Sequence, residues 1–164
     1  MTTASAGREA PSFSLAGLDG KKVSLEEALK SGPVVAAFFK ISCPICQFTF
    51  PFLERIHKAY GGNGASIWGI SQDNARDTKD FCQEYGLTFP ALPDEKGYPV
   101  SNDYGLTMVP TVLLIAPDGK VKVSSMGFNK KDLEKIAAEL ARHTGKPAIR
   151  VFQPDEIVPD SKPG

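Results

Sequence analysis

VVAAFFKISCPICQFTFP, residues 34–51, is the stretch that decides the fold. Its first six residues are an unbroken apolar run bounded by Pro33 and Lys40, the pattern of a strand covered on both faces of a sheet. From Cys43 onward, Phe48, Phe52, Leu53, Ile56 and Tyr60 recur at helical spacing, and Gly61-Gly62 supplies a stop. Pro51 falls inside this helix, where it removes one hydrogen bond and is expected to kink it. Between strand and helix stands Cys43-Pro44-Ile45-Cys46.

Upstream, Phe13 and Leu15 alternate with serines, and Val23 and Leu25 alternate after the turn Leu18-Asp19-Gly20-Lys21, which predicts a short β-hairpin at an edge. Ser24 is placed to cap a short helix with Glu26 and Glu27 in its first turn, ended by Gly32-Pro33. Downstream, Ala65–Ser71 reads as a second buried strand with Trp68 in the sheet core. A helix follows from about Asn74 to Tyr85, with Phe81, Cys82 and Tyr85 inward and Gly86 as its stop. Residues 87–99 read as loop, and a helical turn spans Val100–Tyr104. Val112–Ala116, the turn Pro117-Asp118-Gly119-Lys120 and Val121–Met126 predict an antiparallel hairpin. Asn129 caps a final helix whose Leu133, Ile136, Ala137 and Leu140 share one face. Its Lys130, Lys131 and Lys135 read as the solvated side, and His57 as a solvated residue of the long helix.

The chain has 164 residues, enough for one domain with a substantial core. The reading is a domain over 1–144, its core beginning near residue 10, and an extended tail over 145–164 with Pro147, Pro154, Pro159 and Pro163. Within that tail, Ala148–Phe152 has the composition of a short strand. Nineteen basic and nineteen acidic residues cancel, so no general attraction to nucleic acid or to an anionic membrane is expected. No apolar run approaches the roughly 18 residues of a membrane span, and the first residues show no export pattern. As given, the sequence reads as cytoplasmic, or periplasmic if a signal segment preceded it.

Three cysteines are too few for a secreted disulfide scaffold. A Cys-x-x-Cys pair serves either zinc or dithiol exchange. Zinc needs a second pair of ligands, and Cys82, His57 and His143 stand at no metal spacing, so no metal is assigned. Placement at a helix start favours redox chemistry, because unpaired N–H groups and the helix dipole stabilise the thiolate that attacks a disulfide. Cys43 is then the nucleophile and Cys46, one turn in, resolves the mixed disulfide.

These features together resemble the thioredoxin-fold thiol-disulfide reductases of the alkyl hydroperoxide reductase/thiol-specific antioxidant superfamily. The resemblance rests on the N-terminal hairpin, Phe38-Phe39 before Cys43-x-x-Cys46, Pro51, Tyr85-Gly86-Leu87, and Tyr104-Gly105 leading to Val109-Pro110-Thr111 and Pro-Asp-Gly. It implies an α/β thioredoxin-like fold, with a central mixed sheet flanked by helices. It also implies a cis Pro110 beside the dithiol, and substrate contacts at Val109, Pro110 and Pro44. Disulfide-containing proteins or small molecules would be the substrates and a thiol donor the recycling partner. No cofactor is implied, and the chain would be a monomer or weak dimer. Relatives often carry a buried acid at the positions of Ala37 or Thr49; neither is acidic here, which leaves the proton acceptor for Cys46 open between water and Lys40.

Two other readings stand beside this one. In a peroxiredoxin-like peroxidase, Cys46 would be peroxidatic and Cys43 or Cys82 resolving, although Cys43 then replaces the usual hydroxyl three residues earlier. Cys82 beside Phe81 also fits a plain core residue. The other reading is a non-enzymatic binding or redox-sensing module.

Overall fold

Leu15 lies opposite Val23 in an antiparallel pair formed by β1 (Ser14–Ala16) and β2 (Lys22–Ser24). In the computed structural model, which describes residues 4–62 and 64–164, these strands make a small sheet of their own. Leu25, expected to continue the second strand, instead begins α1 (Leu25–Leu29). Ser24 Oγ accepts a hydrogen bond from the Glu27 N–H, which ends the strand by capping the helix.

The remaining elements run β3 (Val34–Phe39), α2 (Pro44–Tyr60), β4 (Ser66–Ser71), α3 (Ala75–Tyr85), β5 (Ala91–Pro93), α4 (Pro99–Asp103), β6 (Thr111–Ile115), β7 (Val121–Met126), β8 (Phe128–Asn129), α5 (Lys130–Thr144) and β9 (Ser161–Lys162). The main sheet has the order β5-β4-β3-β6-β7. β3 pairs parallel with β4 and antiparallel with β6, so the sheet is mixed and β3 is its centre. All six β3 side chains are buried, and the pleat divides them. Val35, Ala37 and Phe39 pack with α2, α3 and α5, while Val34, Ala36 and Phe38 pack with Phe13, Leu25, Trp68, Val100 and Tyr104 on the other face. That division explains the continuous apolar run.

The helix limits follow from local chemistry. Asn74 and Asn129 accept the N–H groups of Asp77 and Asp132, and Gly86 closes α3 with φ +66°, a conformation open to glycine at little cost. α2 continues through Pro51 as one helix.

Three regions differ from the sequence reading. The stretch read as loop after Gly86 contains β5, a three-residue edge strand parallel to β4. It is too short for periodicity, and Pro90 precedes it while Pro93 is its last residue, at an edge where a missing N–H is tolerated. His57 is half-buried rather than solvated, with its ring 5.9 Å from that of Phe89, because the segment leading to β5 covers this side of α2. Burial lowers its pKa, against a smaller opposing effect of Glu54.

The third difference concerns residues 145–164. No strand forms over 148–152; instead Val151 and Phe152 are buried, and the Phe152 ring lies 4.8 Å from Phe52 and 6.0 Å from Phe128. Arg55 donates to the Val151 carbonyl and makes two 2.7 Å bonds to the Glu156 carboxylate. The strand lies further on, where β9 pairs antiparallel with β8, Lys162 opposite Phe128 and Ser161 opposite Asn129. Among the described residues, no helix is long and apolar enough to cross a membrane.

Candidate active site

The strand-to-helix turn at Lys40–Cys43 is braced from three sides. The Cys43 N–H donates to the Lys40 carbonyl, Asp73 Oδ2 accepts from the Ile41 N–H at 2.8 Å, and Gln47 Nε2 donates to the Ile41 carbonyl at 2.9 Å. Asp73 is itself positioned, because its N–H donates to Ser71 Oγ, which bonds Thr78 Oγ1 at 2.7 Å. Asp73 thus ties the end of β4 to the turn that carries the cysteines. In the sequence it sits among polar residues before a helix cap, with nothing local to distinguish it from capping chemistry.

Cys43 is the N-cap of α2 and Pro44 its first residue, where proline lacks only an N–H that would have no helical partner. The Cys46 N–H donates to Cys43 Sγ at 3.1 Å, as an N-cap geometry requires. The two sulfurs differ in environment: Cys43 is half-buried, and Cys46 is wholly buried. Burial is the main cause holding the Cys46 thiol far above its ordinary pKa. The Cys43 hydrogen bond, its charge and the charge of Asp73 act in the same direction, and the Lys40 backbone acts against them.

The segment before β6 supplies the opposite wall. Cys43 Sγ donates to the Val109 carbonyl at 3.6 Å, and the Val109-Pro110 peptide bond is cis. Thr111 Oγ1 donates to the Met108 carbonyl and the Gly127 N–H to the Pro110 carbonyl, which hold this loop against β7. Next to it lies a hollow of about 200 Å³ lined by Lys40, Gln72, Leu106, Thr107, Met108 and Val109. Cys43, Cys46, Pro44, Val109 and Pro110 therefore converge at one end of the sheet.

The other singled-out positions lie differently. Thr49 is buried and donates to the Ile45 carbonyl, and Ala37 is buried in β3, so the carboxylate that bears on Cys46 is Asp73. Cys82 is a free, buried thiol in the last turn of α3, and burial together with Glu54 pushes its pKa up to about 11. It lines a separate cleft of about 530 Å³ between the first hairpin and the segment leading to β5. Among the described residues, no group of three or more His, Cys, Asp or Glu is arranged to hold a metal.

A mixed sheet with a dithiol at the start of the helix that follows its central strand is the thioredoxin-like class of fold. The structure superposes on the thioredoxin domain of a thiol-disulfide oxidoreductase from Bacteroides vulgatus with a TM-score of 0.74 at 24% identity, over 84% of this chain and 98% of that one. The chain belongs to the AhpC/TSA family, whose pattern matches residues 6–124. It is 34% identical to the thiol-disulfide oxidoreductase ResA of Bacillus thuringiensis over 127 residues, 77% of this chain and 72% of that protein. It is also 31% identical to the thioredoxin-like protein YneN of Bacillus subtilis, over 79% and 76% of the two chains. The protein is a thiol-disulfide oxidoreductase, and its Cys43-x-x-Cys46 pair is the dithiol.

Proposed function

We propose that Cys43 is the attacking thiolate and Cys46 the resolving thiol. Substrate disulfides, in proteins or small molecules, would lie across Pro44, Val109 and Pro110. The observation that carries this assignment is the unequal burial of the two sulfurs, one half-exposed at a helix N-terminus and the other closed off from solvent. In the first step the Cys43 thiolate attacks one substrate sulfur; a Cys43–substrate bond forms, the substrate S–S bond breaks, and the leaving thiolate takes a proton. In the second step the Cys46 sulfur, having lost its proton, attacks Cys43 Sγ. The intramolecular disulfide forms and the second substrate thiol departs, so two electrons have moved from the dithiol to the substrate.

Cys46 is suited to this order. Two of the causes holding its proton on, the hydrogen bond and the charge, come from Cys43. Both weaken once Cys43 is bonded to substrate, so Cys46 becomes easier to deprotonate when it is needed. A thiol donor reverses the sequence and regenerates the dithiol. The same burial weighs against Cys46 as the first sulfur to meet peroxide, since oxidation follows thiolate character and access.

The test is trapping. Cys46→Ser should accumulate a mixed disulfide between Cys43 and an oxidised peptide, and Cys43→Ser should accumulate none. If Cys43 stays unreactive toward disulfides while Cys46 is oxidised rapidly by hydrogen peroxide, the roles are wrong.

A further inference from the structure

We propose that residues 159–164 are a self-bound strap that occupies the path of an extended substrate chain along Val109 and competes with it. The inference rests on the reading of Val109 as part of the substrate site.

The strap reaches the site through a chain of contacts. Lys162 and Ser161 pair with Phe128 and Asn129, and the Lys130 N–H donates to the Asp160 carbonyl at 2.9 Å. Gly127, with φ +73°, leaves the space through which the strap passes; a Cβ there would strike the Lys162 carbonyl. Gly164 then lies against Val109 so closely that a Cβ on it would collide with the Val109 carbonyl and press on Met108 Sδ. That carbonyl is the one that accepts from Cys43 Sγ. Lys162 Nζ is 5.2 Å above the ring of Phe48, which lies on the same helix as the two cysteines. A polypeptide reaching Cys43 by way of Val109 needs the space that Gly164 fills.

The segment is built with a firm base and a light tip. At the base, Val151 and Phe152 are in the core and Glu156 is clamped by Arg55 and the Gln153 N–H. Beyond it, residues 159, 160, 161, 163 and 164 are exposed, and β9 has only two residues. A short exposed strand opens far more readily than a core strand. The base therefore keeps the tip at high local concentration while the tip can lift, which is the arrangement a competitor needs. Pro159 and Pro163 flank the pairing residues and lower the chain entropy lost on seating.

If the strap is seated in about nine molecules of ten, removing it tightens the apparent affinity for an extended substrate about tenfold. Two variants test this: the chain ending at Val158, and Gly164→Val, which forces the tip off Val109 with β9 retained. Far-UV circular dichroism first establishes that both fold. The first readout is labelling of Cys43 by a bulky maleimide in the reduced protein, read at the Cys43 peptide by mass spectrometry. The second is KM for an oxidised peptide. Faster labelling and a lower KM in both variants, with kcat unchanged, are expected. Unchanged labelling and unchanged KM in both folded variants overturn the proposal. Faster labelling without turnover of any disulfide, by the variants or the full chain, leaves the strap standing and refutes the catalytic roles instead.

Discussion

Replacing Phe152 by alanine asks whether the proline-rich segment is part of the domain or an appendage. Phe152 is 7% exposed, and its ring meets Phe52 at 4.8 Å and Phe128 at 6.0 Å, with the Lys130 ammonium 5.6 Å above it. A phenylalanine in such a place buries on the order of 150–250 Å². At about 25 cal/mol per Å² that is roughly 4–6 kcal/mol, an upper value because the unfolded chain already buries some of it. Measured Phe→Ala changes in cores cost about 3–5 kcal/mol. For a chain of 164 residues, each kcal/mol moves the melting temperature by about 2–4 °C, so Phe152→Ala should melt about 6–20 °C lower. Ile157→Ala, at a fully exposed residue, should stay within about 0.5 kcal/mol of the parent and serves as the control. Thermal denaturation followed by far-UV circular dichroism measures both. A drop under about 3 °C for Phe152→Ala would refute the argument that residues 145–164 complete the core over α2.

Two further predictions concern the second step of exchange. Burial holds the Cys46 thiol above its ordinary pKa, so its thiolate fraction stays small and grows with pH. The collapse of a preformed Cys43 mixed disulfide, followed by stopped flow, should therefore accelerate about tenfold per pH unit between about pH 6 and 9; a plateau near neutrality would contradict this. Asp73→Asn retains an acceptor for the Ile41 N–H and removes a charge that disfavours the Cys46 thiolate, so resolution at pH 7 should quicken. Were Asp73 instead the base that takes the Cys46 proton, the same substitution would slow it, and the sign of the change decides. Asp73→Ala should in addition lose about 1–2 kcal/mol of stability in urea unfolding, because the Ile41 N–H loses its carboxylate at a partly exposed position.

The central strand, the long helix and the dithiol between them are legible in residues 34–51 because each is written in local chemistry. A six-residue apolar run has to be covered on both sides, helical spacing defines a face, and a cysteine before Pro44 is an N-cap. Asn74, Gly86 and Asn129 mark helix ends for the same reason, since a cap is a contact within three or four residues. The two cysteines could be named from spacing alone, and the loop of Val109 and Pro110 from resemblance. Their difference in burial could not be read, because it depends on what packs above α2. β5 is not legible because three residues that follow Pro90 and end in Pro93 carry no period, and only the free edge of β4 makes them a strand.

The elements joined over long stretches of chain are the ones that tertiary structure alone decides. Cys43 meets Val109 across 66 residues, and Asp73 reaches Ile41 across 32. Arg55 grips Glu156 across 101, which turns an apparently extended tail into a layer of the core. Nothing in the composition of 145–164 predicts a partner, since prolines and scattered charges suit a free tail and a strap equally. Local sequence sets backbone propensity and which face of an element is apolar. Which distant group fills a hydrogen bond or covers a ring depends on how the finished sheet brings its edges and loops together, and that geometry set residues 160–162 along Phe128–Lys130 and Gly164 against Val109.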